Sequence, residues 1–147
     1  DAHHGNGTQA IFDEDPTVVQ VSIHETGRSL YPGSGYVFEC GRGPGAGTKI
    51  NVPLPPYTGD DLYLYAFEEV VPRVFEKFEP EFVIWQCGVD GHRADPITHL
   101  ALSIELVGVD VDVEDVPGRS PEDGWLKSEV ERTVERVLRL IETGEVP

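Results

Sequence analysis

The sequence predicts an α/β fold with a mostly parallel sheet, on three observations. Residues 18–24 (VVQVSIH) alternate apolar and polar positions as a strand does. Residues 81–88 (EFVIWQCG) are a nearly continuous apolar run of strand length, the pattern of a parallel strand covered on both faces. Between them, the stretch from Thr58 to Phe78 repeats apolar residues at helical spacing. Strand, helix and strand joined by right-handed crossovers make the doubly wound plan.

In chain order, Gln9 to Phe12 reads as a short helical turn, closed by Asp13-Glu14-Asp15 before Pro16. In the strand 18–24, Val19, Val21 and Ile23 alternate with Gln20, Ser22 and His24. Glu25 to Thr48 is a long loop rich in Gly and Pro, and loops of that length are usually functional or disordered. Its run Gly41–Gly47 is read as a turn and not a phosphate cradle, because no Lys-Ser/Thr follows it and no helix opens there. Ile50 to Leu54 is a short strand leading to the stop Pro55-Pro56.

Thr58-Gly59-Asp60-Asp61 starts a helix, with carboxylates in the first turn where the dipole favours them. Leu62, Ala66, Phe67, Val70, Val71, Val74, Phe75 and Phe78 mark its buried face, and Pro72 should kink it. Cys87 then reads as a small core residue at the end of the 81–88 strand. Residues 107–113 (VGVDVDV) alternate as an edge strand or a displaced segment would. From Ser120, the run Ser-Pro-Glu-Asp caps an amphipathic helix. Trp125, Val130, Val134, Val137, Leu138 and Ile141 form its stripe, and Gly144 ends it.

The net charge is -16, with only three lysines, and the acid excess is spread along the chain. Phosphate would be repelled, so nucleic acid is excluded as a direct partner. No basic amphipathic stretch suits an anionic membrane, and no apolar run is long enough to span one. The pattern reads as an acidic solvated surface of the kind that high salt screens, as in a halophilic protein. Two cysteines, Cys40 and Cys87, with no CxxC spacing, make no disulfide framework. With no signal peptide or lipidation motif, a cytoplasmic enzyme is the default expectation.

The chemistry concentrates in DAHHGNGTQAIF. Asp1 and His3, two residues apart, project to the same side of an extended segment. Asp90, just past the apolar run 82–85, supplies a distant third ligand. Catalytic zinc takes three protein ligands from His, Asp, Glu or Cys and keeps a position for water, a count that Asp1, His3 and Asp90 meet.

The segments DAHHGNGTQAIF, VVQVSIHETGRSLYPGSG, INVPLPPYTGDDLYLYAFEEVVP and PEFVIWQCGVDGHRADPITHL resemble, in this order, the zinc-dependent histone deacetylase family. The likeness is to its prokaryotic branch, of acetoin-utilisation and acetylpolyamine amidohydrolase type. It covers roughly residues 1–102; residues 103–119 diverge, and 120–144 are the C-terminal helix. The resemblance implies a partial domain of an arginase/deacetylase-like three-layer fold. The family's catalytic domain is much longer than 147 residues and its first motif reads Asp-x-Asp-x-His-His-Gly, so an N-terminally truncated fragment is expected.

The same resemblance implies Zn2+ on Asp1, His3 and Asp90, and an acetylated amine or acetyl-lysine as substrate. It implies a monovalent cation, K+, near Ser22 and Ile23. Tyr31 corresponds to an aromatic lining the acyl-lysine channel, the alternative being an aromatic that pins the loop to the core. Ile97 stands for the leucine in the family's Asp-Ala-His-Arg-Gly-Asp-Pro-Leu-Thr and is assigned to the same channel. His92 is read as a loop hydrogen-bonder and Asp95-Pro96 as a turn. The family's acid–base histidine pair would lie upstream of residue 1, and the tyrosine that serves its oxyanion has no equivalent here. The chain alone is therefore expected to be a weak catalyst or none.

Other readings of the same residues stay open. Asp-Ala-His matches a fragment of the two-manganese ureohydrolases, although these need a further Asp where this chain has His4 and Gly5. At a free N-terminus, Asp-Ala-His offers an amine, two amides and an imidazole suited to Cu(II) or Ni(II), a chelate with no enzyme behind it. A degenerate deacetylase that keeps only zinc or a partner would be a non-catalytic binding module.

Overall fold

A computed structural model describes residues 1–107, 118–122 and 124–145. The elements run α1 (Asn6–Phe12), β1 (Gln20–Glu25), a 3-10 turn (Gly43–Gly45), β2 (Lys49–Leu54), α2 (Asp60–Phe78), the one-turn α3 (Ile104–Val107) and α4 (Gly124–Thr143). β1 and β2 pair in parallel, Gln20 opposite Lys49 through Glu25 opposite Leu54. A parallel pair needs a long crossover, and here the Gly- and Pro-rich loop supplies it. That loop is packed, with Leu30, Val37 and Cys40 all buried.

β2 is the buried spine, with Ile50, Val52 and Leu54 in the core. α4 lies across β2 and α2. Its apolar side chains Leu126, Val130, Val134, Val137, Leu140 and Ile141 recur every three or four residues and are all buried. Ala66, Val70 and Val74 face them from α2. Gly144, at φ 73°, closes α4 by donating its N–H to the Leu140 carbonyl at 2.9 Å, a conformation glycine adopts without steric cost.

Lys49 is fully buried, and burial holds its pKa below the usual lysine range. Its ammonium donates to Val18 O at 2.7 Å, Thr48 Oγ1 at 2.6 Å and Asp15 O at 3.1 Å, which fastens the turn before β1 onto β2. Among the described residues no helix is long and apolar enough to cross a membrane.

Several expectations are corrected. The run 81–88 is not a strand: it makes no ladder with β1 or β2, and Phe82 and Ile84 are 81% and 85% exposed. Strand propensity supplies suitable side chains, but a strand exists only when another backbone pairs with it. Among the described residues the sheet has two strands, and the run's ring contact is Trp85 on Phe67, 5.8 Å between centroids. Cys87 is accordingly exposed and not a core residue.

Within β1 the polar end is the more buried, because His24 and Glu25 have internal partners while Val21 and Ile23 are half-buried. Phe75 and Trp125 are exposed, the stripe of α4 being set one position on by Leu126. Ser120 is bonded to the start of α2. Its hydroxyl accepts the Gly59 N–H at 2.9 Å and donates to Asp61 Oδ1 at 2.7 Å, while Asp60 accepts the N–H groups of Ser103 and Gly118. α2 runs unbroken through Pro72. The alternating run 107–113 lies outside the described residues beyond Val107, which ends α3, as does the capping position Asp123.

Candidate metal centre

The first three residues lie along the C-terminal end of β1, where the Glu25 N–H donates to Ala2 O at 2.9 Å. Ala2 is buried, so the extended backbone turns its neighbours Asp1 and His3 to the other side together. Asp90 arrives from the loop after residue 88. The His3 Nδ1 stands 2.6 Å from Asp90 Oδ2 and 3.1 Å from Asp1 Oδ1. One ligand atom from each of the three residues lies within 4.8 Å of the others.

Both carboxylates are also held by backbone groups. Ala2 N–H donates to Asp90 Oδ1 at 2.7 Å, His3 N–H to Asp1 Oδ1 at 2.7 Å, and the Asp1 amino group to Gly88 O at 2.7 Å. Gly88 is required by proximity: a Cβ there would stand 2.5 Å from Asp1 Cβ. In the loop, the Thr98 hydroxyl donates to Asp90 O, and Asp95 Oδ1 accepts the N–H groups of Ile97 and Thr98 at 2.8 and 3.2 Å. Asp95 thus makes the expected turn. His92 accepts the Ala94 N–H, as a loop hydrogen-bonder would.

These donors fit a divalent ion. Two carboxylates balance its charge, and an imidazole nitrogen already faces both of them. Binding through Nδ1 would leave the His3 proton on Nε2. The two amide nitrogens that a planar N-terminal chelate needs are here donors to carboxylates.

His4 and His24 form a separate buried pair, ring centroids 4.9 Å apart. His4 has Ser34 Oγ at Nδ1 and Gln9 Oε1 at Nε2, each 2.9 Å away. His24 has Ser22 Oγ and Ser22 O at Nδ1 and Gly35 O at Nε2. Burial, then the proximity of His4, pushes the His24 pKa down to about 4, so its ring is neutral near pH 7. A neutral ring carries one N–H, so His24 donates to Gly35 O or to Ser22 O and its other nitrogen accepts, as it can from the Ser22 hydroxyl; Ile23 is half-buried beside Ser22 on β1. Tyr31 and Ile97 stand at the surface, 78% and 67% exposed. Leu30, not Tyr31, pins the loop to the core.

Sequence reasoning passed over Gly88, Thr98 and the pair Glu25–His99. A glycine in an apolar run is the signal for a close backbone approach. Glu25, a carboxylate closing a strand, carried no local signal of its burial.

Residues 1–110 match the histone deacetylase domain family. A probable deacetylase of Archaeoglobus fulgidus is 48% identical over 103 residues, covering 70% of this chain and 28% of that protein. The acetoin utilization protein AcuC of Bacillus subtilis is 46% identical over 106 residues, covering 72% of this chain and 27% of the relative. The histone deacetylase Clr3 superposes with a TM-score of 0.74 at 29% identity, over 96% of this chain and 30% of its own. A histone deacetylase homolog solved with SAHA gives 0.70 at 34% identity, over 73% and 29%. The chain thus spans less than a third of each of these proteins.

Proposed function

Because the chain belongs to the histone deacetylase family, we propose that it carries the Asp–His–Asp zinc site of a deacetylase that hydrolyses an acetylated amine. Acetyl-lysine, an acetylated polyamine and a small acetylated amine all present that amide on an aliphatic stem. The observation that carries the reading is the convergence of Asp1, His3 and Asp90, from opposite ends of 90 residues, on one point at the end of β1. Zinc held there would supply Lewis acidity, able to polarise an amide carbonyl and acidify a bound water.

The chain's own residues would do the holding. Asp1 and Asp90 supply charge, His3 supplies Nδ1, and the Ala2 and His3 N–H groups fix both carboxylates in orientation. Tyr31 and Ile97, both exposed, would form part of the rim around the acyl-bearing stem. Ser22 and Ile23 would contribute oxygen ligands to K+, the Ser22 carbonyl keeping a lone pair free even where it accepts from His24.

The 147-residue chain by itself is expected to release acetate slowly or not at all. His4 and His24 are engaged internally, His99 is bonded to Glu25 and His3 would be a ligand, so no two of the five histidines remain to act as a pair in proton transfer. Losing one oxyanion donor costs about a hundredfold to a thousandfold in rate, and losing a general acid–base group about as much.

The test is zinc stoichiometry on the purified chain. One zinc per chain is expected, with Asp90→Ala abolishing it. Zinc uptake that ignores Asp90 would overturn the site, and copper bound regardless of Asp90 would favour the N-terminal chelate.

A further inference from the structure

Glu25 ends β1 with its carboxylate buried. A buried charge persists only when hydrogen bonds replace its water, and Glu25 has three: Ser29 Oγ at 2.7 Å, His99 N–H at 2.7 Å and His99 Nδ1 at 3.0 Å. None of these groups takes part in the chemistry set out above. We propose that Glu25 is a positioning residue for the metal centre, tying together the two segments that carry its ligands. This rests on the reading of Asp1, His3 and Asp90 as metal ligands.

The connection forms a closed circuit. The Glu25 backbone N–H donates to Ala2 O at 2.9 Å, and Ala2 lies between Asp1 and His3. Ala2 N–H donates to Asp90 Oδ1 at 2.7 Å. The Asp90 carbonyl accepts from the Thr98 hydroxyl, and Thr98 is bonded to His99, which returns to the Glu25 carboxylate. The far side of His99 is fixed too, since Tyr57 N–H donates to His99 O at 2.7 Å and Ala101 N–H to Thr58 O at 2.9 Å.

Asp90 can therefore move away from Asp1 and His3 only by breaking a link of this circuit, and the link at Glu25 is made by a carboxylate with no water to turn to. Main chain holds one ligand segment and side chain the other, so Glu25 adds a buried link between them to the direct bonds of Ala2 to Asp90 and of Asp1 to Gly88. Groups that orient metal ligands from behind are typically worth about tenfold to a hundredfold in metal affinity.

The experiment compares the whole chain with Glu25→Leu, Glu25→Gln and His99→Ala on two readouts. Zinc affinity is titrated against a chromophoric chelator, with the cobalt(II) visible spectrum as a measure of ligand geometry. Without metal, exchange of the residue-25 amide hydrogen, the one bonded to Ala2 O, is followed by NMR against the amides of β2. Glu25→Leu is expected to lose about tenfold to a hundredfold in zinc affinity, to alter the cobalt spectrum, and to speed exchange at residue 25 while β2 stays protected. Glu25→Gln should recover most of the affinity, because its oxygen still accepts and its amide can donate to the other His99 tautomer.

Zinc affinity within twofold of the parent in both Glu25→Leu and His99→Ala, with residue-25 exchange unchanged, overturns the proposal. If Glu25→Leu does not fold, His99→Ala, altered at a half-exposed side chain, decides on both readouts. If the parent chain binds no zinc, the metal reading fails, and the exchange measurement alone decides whether Glu25 ties the two segments.

Discussion

Replacing Gly88 with alanine should weaken zinc binding without unfolding the chain. The backbone of residue 88 is not left-handed, so alanine is allowed there on conformational grounds. The obstacle is Asp1: the new Cβ would stand 2.5 Å from its Cβ, 2.8 Å from its Cα and 3.0 Å from its Cγ. Carbon atoms rest about 3.5–4.0 Å apart, so Asp1 must retreat by roughly 1 Å. Its carboxylate is now 3.1 Å from His3 Nδ1, and the amino group bonded to Gly88 O would be pushed by the same contact.

Productive ligand geometry tolerates only about 0.5 Å, and the expected loss is about tenfold to a hundredfold in zinc affinity. The assay is competition with a chromophoric chelator, with far-UV circular dichroism to verify the fold. Gly7→Ala is the control, since a Cβ there meets nothing within 4 Å and α1 should gain up to about 1 kcal/mol. A Gly88→Ala chain that binds zinc within twofold of the parent would refute the idea that Asp1 is held by its contact with residue 88.

Lys49→Met should cost about 1–3 kcal/mol, because the Val18 and Asp15 carbonyls lose their buried donor; a urea midpoint that does not fall would refute it. Tyr63 should ionise late: burial, then the proximity of Cys87, raises its pKa to about 12. Its folded pKa lies above the unfolded value near 10, so this contribution to stability is intact below about pH 10 and disappears as pH rises toward 12. Absorbance at 295 nm should show a late step that Tyr63→Phe removes. With a net charge of -16, the melting temperature should climb between low and molar KCl as salt screens self-repulsion, and a flat response would count against a salt-adapted surface.

What could be read along the chain were the features whose cause is local. The two-residue spacing of Asp1 and His3, the acids opening α2, the glycine that ends α4 and the turn at Asp95 each follow from neighbouring backbone geometry. β2 and the stripe of α4 were legible because their burial repeats at the period of the element. Periodicity states which side chains favour burial; it does not name what will cover them or which backbone will pair. Tertiary structure decided that the apolar run 82–85 stays unpaired, that Ser120 serves α2 and that Trp125 faces water. It also brought Glu25 to His99, across 74 positions of sequence, where burial turns an ordinary strand-end carboxylate into a fixed link between the two segments that carry the candidate ligands.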